Sequence, residues 1–133
     1  MGTWGSGPFE NDGASDWASD LQEAPPADRV AIVRSALTLS EGYLDVDGGQ
    51  AAIAAVAVVA AAIPGTVAEP AGWPDFLAGD DTLRLPDDLR DLALTALDRV
   101  TGKDSELKAL WTEGGPDQDW DAQIAALRSS LQR

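Results

Sequence analysis

The chain reads as all-α: a compact single-domain bundle of about six helices around an Ala-rich central helix, with a Gly-rich N-terminal arm ordered against the body. Three observations predict this. Apolar residues recur at i, i+3 and i+4 in one segment after another, which is the period of a helix with one buried face. Helix-starting Asp, Ser and Pro and helix-stopping Gly and Pro frame those segments. Strict alternation of apolar and polar residues is confined to Thr82-Leu83-Arg84-Leu85, too brief to build a sheet. A length of 133 residues with 44% hydrophobic and 24% charged content suits one hydrophobic core. Residues 1–133 are therefore read as one helical domain.

Each element has its own grounds. Residues 1–13 form the arm, too glycine-rich for a helix, whose Trp4 and Phe9 gain by packing on the body. The first helix runs from Asp12 to Glu23, with Ala14, Trp17, Ala18 and Leu21 at helical spacing and Asp12 or Ser15 as N-cap. Pro25-Pro26 ends it. Pro26 suits the first turn of a second helix, where Val30, Val33, Ala36, Leu37 and Ser40 share a face until Gly42 stops it. Asp47 caps a third helix running through Ile63, and its apolar residues lie on every side, which places it at the centre. A Pro- and Gly-rich connection over 64–85, longer than usual, is anchored by Trp73, Phe76 and Leu77. Pro86-Asp87-Asp88 then opens a helix with Leu89, Leu92, Ala93, Ala96, Leu97 and Val100 on one face, closed by Gly102. Ser105 leads a short helix with Leu107, Leu110 and Trp111, and Asp119 caps a last one with Trp120, Ile124, Leu127 and Leu131.

Composition excludes several chemistries. With no Cys and no His there are no disulfides, thiolate nucleophiles, imidazole bases or imidazole metal ligands. The expected content of cofactor and metal is none. A net charge of −14 disfavours nucleic acid and anionic membranes as direct partners, because both are bound through clustered Lys and Arg. It favours a basic protein partner, while a role in solubility alone is the commoner use of such charge. The stretch from Ala51 to Ile63 is too short to span a bilayer, which takes about 20 apolar residues. No basic n-region with an apolar run behind it follows Met1, so the expected location is cytoplasmic.

Three constellations could carry function. Glu41, Asp45 and Asp47 lie between two helices and offer oxygen ligands to a hard cation. The pattern departs from an EF-hand loop after its first two positions, with Gly49, Gln50 and Val56 where other residues are needed, and a helix cap is the simpler role for Asp47. Gly5-Ser6-Gly7 beside Glu10, Asn11 and Asp12 resembles an anion loop, yet no Lys or Arg occurs in the first 28 residues to neutralise a phosphate. A Ser nucleophile would need Lys103 or Lys108 as base, and no Ser motif surrounds either. Of the five Trp residues, Trp17, Trp111 and Trp120 fit core faces, whereas Trp4 and Trp73 fall in loops and suit a recognition surface. The candidate binding residues are thus Trp4, Glu10, Asn11, Asp12, Asp45, Asp47 and Trp73, and no catalytic set emerges.

The opening Gly2-Thr3-Trp4-Gly5-Ser6-Gly7-Pro8-Phe9-Glu10-Asn11-Asp12 followed by Trp17, then Tyr43-Leu44-Asp45, Ser105-Glu106-Leu107 through Trp111, and Trp120, resembles the domain of unknown function 4259 family. The resemblance covers most of the chain. It implies a small bacterial protein with the N-terminal arm as its hallmark, and it brings no activity, cofactor or catalytic residue. The expected function is a non-enzymatic acidic binding or regulatory module that neutralises a basic protein. The alternatives are a metal-assisted hydrolase built on Asp45 and Asp47 with Glu10 or Asp12, and a structural or oligomeric subunit.

Overall fold

A computed structural model describes residues 12–39, 44–62, 86–102, 104–113 and 118–132. Expectations for the arm at 1–11, with Trp4, Glu10 and Asn11, and for the 64–85 connection with Trp73, lie outside the described residues. Among the described residues six α-helices form: α1 (Asp12–Glu23), α2 (Arg29–Leu37), α3 (Val46–Ala62), α4 (Asp88–Val100), α5 (Glu106–Trp111) and α6 (Gln118–Leu131). A single 3₁₀ turn, Pro26–Asp28, leads into α2.

The Ala-rich helix is central, as its sequence predicts. Every residue of α3 from Ala52 to Ala60 is buried, and α3 touches each of the other five helices. A helix apolar on all sides has no face to offer water, so the free energy of burial is greatest when neighbours surround it. Its alanines leave room for those neighbours to come close. Each surrounding helix turns a narrower stripe inward. Ala14, Ala18 and Leu21 come from α1 and Val33 and Leu37 from α2. Leu89, Ala93, Ala96, Leu97 and Val100 come from α4, Leu107 from α5, and Trp120, Ile124, Leu127 and Leu131 from α6. Trp111 stacks on Trp120 at a ring separation of 6.4 Å, joining α5 to α6.

Helix ends differ from expectation in instructive ways. Ser15 is exposed and inside α1, which already begins at Asp12, so it caps nothing. Asp119 likewise sits in the first turn of α6 and not before it. The second helix stops at Leu37, short of Ser40 and Gly42, because Thr38 closes it: both its backbone N–H and its hydroxyl donate to the Arg34 carbonyl, at 3.0 and 2.8 Å. Thr101 ends α4 and Thr112 ends α5 by the same hydroxyl bond to the residue four back, each at 2.8 Å. Threonine side chains bonded in this way satisfy carbonyls that a helix end would otherwise leave open. Gly102 does follow α4, but it is not in the left-handed conformation that makes glycine a stop signal, so Thr101 is the effective terminator. At the end of α1, Arg29 donates to the carbonyls of Leu21 and Gln22 at 3.2 and 3.1 Å, placing a cation at the negative end of the helix.

Candidate functional site

Of the acidic group singled out in the sequence, Asp45 and Asp47 stand at the start of α3, and Glu41 lies outside the described residues. Leu44 and Ser105 form an isolated parallel bridge in which the Leu44 N–H donates to the Asp104 carbonyl at 2.7 Å and the Glu106 N–H donates to the Leu44 carbonyl at 2.8 Å. This pins the entry of α3 against the entry of α5. Asp45 then accepts from the Gly48 N–H at 2.8 Å, and Glu106 reaches across to accept from the Val46 N–H at 3.1 Å. Asp45, and not Asp47, is therefore the cap of α3; Asp47 stands exposed in the first turn. Ser105 performs the expected service for α5, accepting from the Lys108 N–H at 3.2 Å.

This arrangement spends carboxylates on backbone amides. Asp45 and Glu106 each hold a helix N–H, and among the described residues no group of three or more acidic side chains is placed to hold a metal ion. Asp12 opens α1, and Gly13 beside it lies so close to Gln50 that an added Cβ would clash with the Gln50 amide oxygen. The start of α1 and the first turn of α3 are thus brought together, whereas Trp4, Glu10, Asn11 and Trp73 fall outside the described residues.

A second feature was not singled out in the sequence. Between α1 and α2 lies an open groove of about 610 Å³, walled by Trp17, Ala24, Ile32, Ala36 and Ala51, with Asp28 as its charged lining residue. Trp17 packs one side against the core as expected and turns the rest of its surface to this groove. The period-3.6 pattern found the inward stripe of each helix. The groove is formed by residues of α1, α2 and α3 together, and the spacing within any one helix does not reveal it.

Charge is distributed unevenly between buried and exposed positions. Of the 15 Asp and Glu residues whose surroundings are described, 14 are exposed and only Glu106 is half-buried, while all six described Arg and Lys residues are half-buried. Arg29 donates to the carbonyls at the end of α1, while Arg34 and Arg128 reach acids on neighbouring helices at the surface. Arg34 makes a two-pronged ion pair with Asp88, one arm at 3.3 Å, and Arg128 bonds Asp98 at 2.9 Å. The hydrogen bond with Arg34 holds the Asp88 carboxyl below the usual aspartate range and raises the guanidinium above its own.

These features define a small all-α protein whose described residues carry 14 exposed carboxylates. The chain belongs to the family described as Domain of unknown function (DUF4259), whose model matches residues 2–123. No curated protein and no solved structure matches it.

Proposed function

We propose that this protein is a non-enzymatic acidic binding module that neutralises a basic protein partner in the cytoplasm. The exposure of 14 carboxylates, against only six half-buried Arg and Lys residues among the described residues, is the observation that supports it. A net charge of −14 projects a negative potential around the protein. Such a field speeds encounter with a cationic partner by roughly 10–10³-fold at low salt and is screened over a Debye length of about 8 Å at physiological ionic strength. Capture of partners from the native host at low and at high salt, followed by association kinetics, tests the reading. Basic proteins retained at low salt, with an association rate that falls as salt rises, are expected. Capture that is insensitive to salt, or that yields no basic protein, would overturn it.

A further inference from the structure

The geometry points to the α1–α2 groove as the docking site for a basic amphipathic helix of the partner, an inference that rests on the function proposed above. The groove floor is apolar, with Trp17 and Ile32 half-buried, and a helix can lay an apolar ridge of i, i+3, i+4 and i+7 side chains into such a channel.

The charges around it select the partner. Asp28 lines the groove, and Asp20 borders it, being three residues after Trp17 and four before Ala24 on the surface of α1. Asp16 and Glu23 continue the same exposed rank. Asp16 and Asp20 are like charges one turn apart, which weakens a helix unless a cation stands over them. None of these four acids is engaged in an ion pair among the described residues. The adjoining hollow along α2, which shares Ala31 and Ser35 with the groove and is lined also by Val30 and Arg34, differs in kind: its charged residue is a cation already paired with Asp88. An apolar channel with an unpaired acidic border complements an apolar ridge flanked by Lys and Arg, and repels an acidic one.

The test uses the full chain and a defined probe, a Leu–Lys peptide of about 14 residues that forms an amphipathic helix, with a scrambled peptide of identical composition as control. Two variants raise the net charge equally. Ala31→Arg places bulk and a cation at an exposed position of the groove wall, and Asp119→Asn removes an exposed charge on α6. The Leu–Lys peptide should bind about tenfold or more tightly than its scramble, weaken about tenfold in A31R and less than about twofold in D119N. Binding should shift the NMR signals of the Trp17 indole and the Ile32 and Ala36 amides. Equal binding of both peptides, or equal loss in both variants, would overturn the groove while leaving a general affinity for basic proteins intact. Failure of both peptides to bind would also overturn the groove, with the salt-dependent capture deciding the broader reading separately. A dimer seen by light scattering and abolished in A31R would make the occupant a second copy of this chain and overturn the proposal.

Discussion

The backbone N–H of Val46 donates to the side chain of Glu106 at 3.1 Å, so the first amide of the central helix is satisfied by a residue 60 positions further along the chain. Most helices are capped by their own neighbours, as Asp45 caps Gly48 here. With a long-range cap, the start of α3 is correct only when α5 is in place. Replacing Glu106 with Ala should cost about 0.5–2 kcal/mol, and replacing it with Gln, which keeps an acceptor oxygen, should cost less. Chemical denaturation of the two variants measures the difference.

Gly13 and Gln50 make a second long-range dependence. A glycine inside a helix is ordinarily improved by alanine, by about 1 kcal/mol. At position 13 the new methyl group would meet the Gln50 side chain, whose Cβ lies 3.2 Å away and which is only 6% exposed. We expect Gly13→Ala to destabilise the protein, and the loss to shrink when Gln50 is also shortened to Ala. A double-mutant cycle reports the coupling directly.

The Arg34–Asp88 pair ties α2 to α4 and carries a pH signature. Hydrogen bonding to Arg34 lowers the Asp88 pKa in the folded protein relative to the usual value of 3.8. As pH falls the unfolded chain takes up that proton first, so the pair's contribution is present above the ordinary aspartate range and is lost as pH drops through the lowered folded value. The gap in melting temperature between the wild type and Asp88→Asn should be widest near neutrality and close as pH falls below the ordinary aspartate range. Both side chains face solvent, so the gap should also narrow in high salt.

Val56 is fully inaccessible at the middle of α3. Placing a carboxylate there buries a charge with no partner, and Val56→Asp should cost more than about 4 kcal/mol or prevent folding. Circular dichroism at ambient temperature would show the loss of helix. A cooperative transition near the wild-type temperature would contradict a central α3.

The sequence revealed the helices because burial stripes repeat locally: the inward positions of α4 and α6 follow directly from the spacing of their Leu, Ala, Ile and Trp residues. It revealed α3's place because Ala52–Ala60 offers water no polar side. Caps were harder to place. Asp45 and Asp47 are equally good chemical caps two residues apart, and the Leu44–Ser105 bridge decides between them by fixing where α3 begins. The same bridge gives Glu106 its role, and the spacing of a single helix carries no sign of it. The groove beside Trp17 was illegible for a related reason, since it depends on how residues of α1, α2 and α3 are brought together. In the acidic group, charge and position were visible in the sequence, but the absence of a three-carboxylate cluster among the described residues follows from Asp45 and Glu106 turning to backbone amides.

The enclosure of α3 also sets how long its amides keep their protons. A solvent-facing helix can trade its hydrogens for deuterium by fraying or by opening one turn, but an α3 bordered on all sides must wait for its neighbours to part. The amides from Val56 to Ala60 should therefore be the slowest to exchange in the chain, their rates reporting the free energy of opening the whole bundle. The outward turns of α2, ending on Thr38, should exchange far sooner, even though both helices share the same kind of backbone bond.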